Sequence, residues 1–361
     1  MLRGIALLCC ITCVSWLAPA SLHAHGDEEI ELAAPPAETD TAYVKPYARE
    51  LTARLFLSKK YTSIVVPGSS TASSFRYRPN TTLNLGIGAT YRSFSFNVAY
   101  GLPFLNSGTE ERGKTKYLDA QAHIYGRKFV VDFFGQLYKG YYVSPKDYIS
   151  GYPGYYIRPD MRVNMTGLSA YYVFNNRKFS YRASLIQNEW QTKSAGTPLL
   201  GAEIYYGVLN SDSTIVPIEV AAQFQQGSVK RLRYLTVGPG AGYAYTFVYK
   251  RNWFATGSLT VSLPIDFVKE NAHTGDRDKI TFSPNYIYRV ALGYNSRRWI
   301  YTASVVNGTV TAGGSYNEGN YRINTGNYRL TVARRFTLNR KQRKALSPVE
   351  KVLDAPKELT K

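Results

Sequence analysis

The strongest constraint on the fold is a unit in which an alternating strand runs into a tight basic turn and straight back out, five times along the chain. An aromatic residue stands on each side of every turn, and the connections between units are long, polar and rich in glycine and proline. Short turns at one edge, long loops at the other and an aromatic belt at the short-turn edge are typical of an outer-membrane β-barrel. The five turns are Arg92-Ser93, Gly126 to Lys128, Asn175 to Lys178, Lys250 to Asn252 and Ser296 to Arg298.

Segments with a period of two follow one another from Tyr47 onward. Leu85 and Ile87, for example, alternate with glycines, as expected of a strand with two different faces. Glycines, serines and arginines on the second face could not pack a dry core, so they predict a wet lumen. We therefore expect an all-β fold, a closed antiparallel transmembrane β-barrel over residues 46–336.

Counting the alternating segments gives about fourteen strands, or twelve if the least regular pair, at 198–226, is dropped. Both numbers are even, so both termini should face the periplasm. The expected strands are 47–58, 82–91, 94–101, 116–125, 129–139, 161–174, 179–187, 198–208, 215–226, 233–249, 253–266, 284–295, 299–310 and 322–336.

The first 24 residues have the features of a cleaved secretory signal. A positive charge at Arg3 precedes an apolar core that is shorter than the roughly 20 residues of a spanning helix. Small residues allow cleavage after Ala20 or after Ala24. The exported chain should then have neither disulfides nor cysteine ligands, because all three cysteines lie in this segment, at Cys9, Cys10 and Cys13.

The segments on either side of the barrel are polar. Residues 25–45 are acidic and rich in alanine and proline, which predicts a flexible periplasmic linker. Residues 337–361 form a basic tail that we place in the periplasm. Ser347 and Glu350 have capping-box spacing for a short helix, although a disordered extension fits this composition as well.

Charge narrows the choice of partners. Removal of the signal takes away one basic residue, so the formal charge falls from +19 to +18 (43 basic minus 25 acidic). The basic residues are spread over turns and tail rather than gathered in one patch, which favours lipid phosphates, including those of lipopolysaccharide, over nucleic acid. The aromatic segment 328–336 resembles a last strand read by barrel-assembly machinery, and the tail offers a site for a periplasmic protein.

Two polar segments are the candidate sites. The first is the tyrosine-rich loop 140–160, which either folds against the lumen and caps it or packs outward on its neighbours. The second, 187–196, either binds a polar solute or lipid headgroup or only holds a loop shut. Arg182, which is expected to face the lumen, is added to the residues of these two segments. The candidate residues are Tyr155, Tyr156, Arg158, Asp160, Arg182, Glu189, Gln191, Lys193 and Ser194.

Catalytic chemistry has one weak candidate. Asp119 and His123 share a face of one expected strand, so they could form the acid–base half of a hydrolase triad, although a solvated lumen histidine is the simpler interpretation. The three histidines outside the signal are scattered and no cysteine accompanies them, so neither a metal site nor a cofactor is expected.

Several motifs, in order, resemble one family: the uncharacterised outer-membrane barrels of Bacteroidota known as domain of unknown function 4421. The resemblance implies a barrel and an outer-membrane location, and it implies no activity. Its motifs begin with Tyr77-Arg78-Pro79-Asn80 and end with the glycine-rich 238–245, and between them lie 85–91, 113–119, 125–129, 140–142, 158–160, 178–183 and 191–196.

The leading functional interpretation is a non-enzymatic barrel that acts as a pore or transporter for small solutes. The alternatives are an embedded enzyme that acts on lipids and a structural or assembly barrel with periplasmic partners.

Overall fold

The computed structural model describes residues 39–47, 50–91, 94–102, 108–316, 319–339 and 342, and these residues are mostly β-strand. They contain seventeen strands. None of their helices is long and apolar enough to span a membrane. The helices are α1 Thr109–Arg112, α2 Tyr181–Leu185 and a 3-10 turn at Ala221–Gln223. The strands are β1 Val44–Pro46, β2 Glu50–Val66, β3 Phe75–Arg78, β4 Asn84–Tyr91, β5 Phe94–Gly101, β6 Lys116–Tyr125, β7 Phe129–Ser144, β8 Ile157–Val173, β9 Glu189–Gln191, β10 Ala195–Asn210, β11 Val229–Tyr249, β12 Trp253–Ser262, β13 Ile265–Ala272, β14 Gly275–Phe282, β15 Asn285–Asn295, β16 Trp299–Gly313 and β17 Asn320–Thr337.

Fifteen of the strands form one antiparallel, ring-like sheet. Its pairing order is β10-β8-β7-β3-β2-β17-β16-β15-β12-β11, and β11 pairs in turn with β10. β4 continues β3 along β2, and β13 and β14 pair beyond the ends of β12 and β15. The remaining two strands, β1 and β9, pair with each other in a separate small sheet.

Side-chain burial alternates along the strands of the ring, so each strand has an inner and an outer face. On β15, Ile287, Arg289 and Ala291 are buried, whereas Val290 and Leu292 are exposed. The outer face is apolar on most strands, and the inner face carries the polar and charged residues. The expected apolar outer face is therefore present, but the inner face mixes apolar side chains with polar ones, so the polar-in part of the pattern holds only in part.

Three of the expected turns, 126–128, 250–252 and 296–298, join paired strands. We call this end of the ring the short-turn end; β2 begins and β17 ends there. The expected hairpin at Asn175 to Lys178 is wrong, because the chain after β8 leaves the sheet and pairs with β8 again only at β10.

Two of the expected strands are also wrong. Residues 179–187 contain α2, and 215–226 contain the 3-10 turn, because their apolar side chains pack against the interior of the ring instead of alternating across a sheet. The count of fourteen does not describe the sheet, since β3, β13 and β14 were not expected. The expected strand at 198–208 is real and longer than predicted.

The linker prediction is wrong over its last residues, because Val44 in β1 is fully buried against β9. The signal, the Arg92-Ser93 turn and the Ser347 helix lie outside the described residues. β4 and β5 on either side of that turn are paired as expected.

One part of the ring is incomplete. β3 pairs directly with β7, but beyond β3, towards the short-turn end, β5 and β6 stand between β4 and β7. Among the described residues β5 pairs with β4 alone and β6 pairs with β7 alone. The sheet order places the unpaired edges of β5 and β6 opposite each other.

Candidate functional site

Residues 174–194 fill the short-turn end of the ring, together with residues 39–47; we call these two segments the base plug. α2 lies inside the ring, where the Tyr181 hydroxyl and Ser258 Oγ of β12 are 2.6 Å apart. Arg54 of β2 donates to the carbonyl oxygen of Ile186 at 3.1 Å. Asn295 of β15 donates to the carbonyl oxygen of Glu189 at 3.0 Å. The base plug is thus held by strands from separate parts of the ring.

Glu189 is the ionic centre of the base plug. Its buried carboxylate accepts a hydrogen bond from Arg127 Nη1 at 2.9 Å and from Ser180 Oγ at 2.5 Å. Arg182 Nε lies 3.5 Å from the same carboxylate. Arg335 of β17 donates to the main-chain oxygens of both Gln187 and Glu189. Arg127 and Arg335 therefore tie the base plug to the wall, whereas Arg182 pairs with Glu189 within the plug.

The other predicted residues of this segment support the same structure. The Gln191 side chain accepts from the Ser180 amide at 3.0 Å, and Ser194 Oγ accepts from the amide of Val248 at 2.8 Å. Lys193 Nζ lies 5.4 Å from the centre of the Tyr43 ring. These side chains therefore contact other residues of the base plug or the adjacent wall.

Residues 211–228, between β10 and β11, close the opposite end of the ring, and we call them the mouth cap. Ile215 and Val216 are fully buried there. The Tyr77 hydroxyl donates to the carbonyl oxygen of Ile215 at 2.6 Å, and Gln226 donates to that of Pro67 at 2.7 Å. Because Pro67 follows β2, four steps around the ring from β10, the mouth cap crosses the opening.

The tyrosine-rich loop, observed at 145–156, packs against the mouth cap. Ile149 is buried beside its apolar residues, and the Tyr156 hydroxyl donates to Glu219 Oε1 at 2.9 Å. Burial, reinforced by this hydrogen bond, raises the pKa of Tyr156 to about 12. Arg158 bridges to Asp160 at 2.8 Å and donates to the main chain of the mouth cap at Thr214. The loop therefore packs on the mouth cap through Ile149 and Tyr156, whereas most of its other residues are exposed.

The interior between the two closures contains a charged cluster. Arg289 of β15 is fully buried and donates through Nη2 to the Asp132 carboxylate. His123 Nδ1 and Ser169 Oγ reach the same carboxylate at 2.6 and 3.3 Å. At Arg289 the expectation of a wet lumen is wrong, because the guanidinium packs between Asp132 and the ring of Tyr181.

A second buried carboxylate lies nearby. Glu203 accepts hydrogen bonds from Ser262 Oγ, from Asn285 Nδ2 at 2.7 Å and from the Tyr171 hydroxyl at 3.3 Å. A cavity beside Glu203 and Phe134 has a volume of about 10 Å³, which is about the minimum for one water molecule. Around this cavity the described side chains pack closely.

The predicted Asp119–His123 pair does not form. Asp119 accepts from the Tyr138 hydroxyl at 2.5 Å, whereas His123 turns to Asp132, its partner across β6 and β7. The sequence could not choose between the two carboxylates, because the register of β6 on β7 decides which one faces the ring. His123 Nε2 is buried and has no hydrogen-bond partner among the described residues.

The predicted site residues therefore fall into two groups at opposite ends of β8. Tyr156, Arg158 and Asp160 contact the mouth cap, Tyr155 packs on Tyr142, and Arg182 to Ser194 belong to the base plug. Sequence reasoning gave no role in these sites to Arg54 or Arg335. The sequence feature that could have identified both residues is a single charged residue on the inner face of an alternating strand. Within the described residues no group of three histidine, cysteine or acidic side chains could hold a metal ion.

Comparison with known proteins gives one informative match. The model of the family described as "Domain of unknown function (DUF4421)" matches residues 38–336. Among curated proteins, no sequence matches.

Solved structures show weak similarity. The outer membrane protease OmpT from Escherichia coli aligns with a TM-score of 0.36 and 10% identity, covering 83% of this chain and 100% of that one. The translocator domain of autotransporter NalP from Neisseria meningitidis gives 0.31 and 8%, covering 80% and 89%. The toluene transporter TodX of P. putida gives 0.23 and 8%, covering 80% and 91%. Similarity this low does not extend any function to this chain.

Proposed function

The chain belongs to the family of the domain of unknown function DUF4421, and we propose that it is an outer-membrane β-barrel closed by its own chain. In this proposal the protein is a gated conduit, a transporter rather than an open pore. The observation that carries the proposal is the pair of closures, the base plug and the mouth cap, at the two ends of one ring-like sheet.

The outer face supports the membrane location. Ile87, Leu200 and Leu292 are all more than half exposed, and comparable residues continue around the ring. A soluble monomer rarely exposes so extensive an apolar surface, whereas lipid tails would cover it. At the short-turn end Trp253 and Trp299 are exposed beside the turns, where an interfacial aromatic belt belongs.

The strand arrangement supports a twelve-stranded wall. Three pairs of strands lie end to end in the sheet. β3 and β4 both pair with β2, β12 and β13 both pair with β11, and β15 and β14 pair with β12 and β13 on the other side. Counted as single strands, they give a wall of twelve strands within the described residues. In this proposal the start of β2 and the end of β17, which lie at the same end of the wall, face the periplasm.

An embedded enzyme that acts on lipids is the second candidate function, and one observation favours it. The His123–Asp132 contact of 2.6 Å is the orienting half of a hydrolase triad. His123 Nε2, the atom that would activate a nucleophile, has no partner among the described residues. His123→Ala should leave the fold intact and abolish any lipid turnover. Unchanged lipid composition in this variant and in a deletion strain would exclude the enzyme.

Conductance in planar bilayers tests the conduit. We would compare the wild type with chains in which residues 176–193, residues 212–227 or both are replaced by short turns. The wild type should be closed, and only the chain that lacks both closures should show large, steady conductance. Heat-dependent gel mobility would confirm that each variant forms a barrel. Steady conductance of the wild type, or no conductance from a folded double variant, would contradict the proposal.

A further inference from the structure

The unpaired edges of β5 and β6 mark an opening in the side of the ring. Between strands of a sheet, hydrogen bonds normally close the wall to lipid. Here β5 and β6 have none to each other in the described residues, while β3 and β7 pair beyond them. Thr82 Oγ1 and the Tyr117 hydroxyl, 2.6 Å apart, close the narrow end of this wedge. The wedge widens towards the short-turn end.

The interior behind the wedge is not filled. Gly86 and Gly88 of β4 face inward, and their partners on β5 are Ala99 and Asn97. Ala99 and Asn97 share the inward face with these glycines, yet both are exposed. On β6 the inward-facing His123 is also partly exposed. The Phe56 ring covers Gly86, so the space lies on the inner side of β5, where Ala99 and Asn97 are exposed.

Positive charge lines this space. The Arg329 guanidinium of β17 lies 4.3 Å from the ring centre of Phe56, and that ring covers Gly86. Arg54 is near enough to Arg329 for the two cations to repel each other. Within the described residues Arg329 forms no ion pair with a carboxylate, and its Nε is buried without a hydrogen-bond partner.

Arg289 adds to the same positive region. Its Nη2 bonds to Asp132, but its buried Nε and Nη1 have no partner among the described residues. Tyr125 of β6 lies within electrostatic range of both Arg289 and Arg329. Buried donors without acceptors are costly, and an anion would satisfy them.

We propose that the wedge between β5 and β6 admits an anionic lipid whose phosphate binds Arg329. This inference rests on the proposed location in a membrane. Arginine forks suit phosphate oxygens, and the exposed Val98, Tyr100 and Leu118 offer apolar contacts for acyl chains at the opening. The site is a lateral entrance from the bilayer, separate from the base plug and the mouth cap.

Calorimetry tests the proposal. It measures the binding of dihexanoyl phosphatidic acid to the full chain in a non-ionic detergent. Arg329→Gln should weaken binding about tenfold, the loss expected for one charge-assisted hydrogen bond. Arg334→Gln is the matched control, because Arg334 lies on the same strand and faces outward. Inorganic phosphate and dihexanoyl phosphatidylcholine should bind much more weakly.

A cross-link between β5 and β6 tests whether the lipid enters through the wedge. Tyr100→Cys with Leu118→Cys, joined by a bis-maleimide across the wedge, should slow association at least tenfold. The control joins Leu292→Cys to Ala303→Cys on paired strands and should have no effect.

Three results would overturn the proposal: no binding by the wild type, equal binding by Arg329→Gln, or phosphate binding as tightly as the lipid. Unchanged association after the cross-link would exclude the lateral route. Conductance of the variants without closures is independent of all four, so failure of the lipid site can be distinguished from failure of the conduit.

Discussion

Arg335 on the last strand donates through Nη2 to the carbonyl oxygen of Glu189 at 2.9 Å. The same guanidinium donates to the carbonyl oxygen of Ser296 at 2.5 Å and to Asn295 at 3.0 Å. One buried arginine therefore joins β17, a short turn of the wall and the base plug. Closure of the short-turn end depends on contacts that form only after the last strand is in place.

Arg335→Met should release the base plug. It removes a buried cation and leaves several carbonyl oxygens without donors, so we expect a loss of about 2–5 kcal/mol in unfolding free energy. Hydrogen exchange should accelerate first in residues 174–194. Arg334→Met, on the outward face of the same strand, should change stability by less than about 0.5 kcal/mol. Equal effects of the two substitutions would show that Arg335 does not hold the plug.

Asp132→Asn should destabilise the whole ring. Arg289 would remain buried without its counter-ion, a loss of about 3–5 kcal/mol. Urea unfolding in detergent measures this effect. Asp278→Asn is the control, because Asp278 is exposed on β14 and should shift stability by less than about 0.5 kcal/mol. If Asp132→Asn left the unfolding free energy unchanged, Arg289 would have another acceptor.

Gly167→Ala should disturb the packing of the interior. A Cβ at Gly167 would lie 2.0 Å from the Tyr205 ring, which is itself buried, so the ring would have to move. Overpacking of this kind costs about 1–3 kcal/mol. A Cβ at Gly257 would meet only open space, so Gly257→Ala should cost less than about 0.5 kcal/mol. Thermal unfolding of the two variants in detergent measures the difference, and a tolerated Gly167→Ala would indicate a loosely packed interior.

The mouth cap should weaken in alkali. Burial and the hydrogen bond to Glu219 raise the pKa of Tyr156 to about 12 from 10.0, so the folded state retains the proton more tightly than the unfolded chain. The contribution of Tyr156 is complete below pH 10 and is lost as the pH rises to about 12. Tyr156→Phe should flatten the fall in unfolding midpoint over this range. Identical pH profiles of the wild type and Tyr156→Phe would show that Tyr156 does not stabilise the mouth cap.

Much of the wall could be predicted from the sequence, because alternation and tight turns are local signals. Trp253 and Trp299, for example, follow turns that the sequence placed correctly. The base plug could not be predicted this way: Phe179 and Tyr181 alternate as in a strand, and only the ring around them shows that they are interior. Asp132 was missed as the partner of His123 because strand register is a long-range property.

Away from the wedge, the interior of the ring is packed with side chains and closed at both ends, and the reactivity of a single cysteine tests this most directly. Thr325 is buried in the middle of the ring beside Gln136, and the chain has no cysteine beyond Cys13. Thr325→Cys should react with a charged maleimide at least 100-fold more slowly in the folded protein than in urea, a protection of about 2.7 kcal/mol. Thr337→Cys, exposed at the end of β17, should react at similar rates in both states. Labelling of Thr325→Cys in the folded protein at the rate measured in urea would contradict a closed interior.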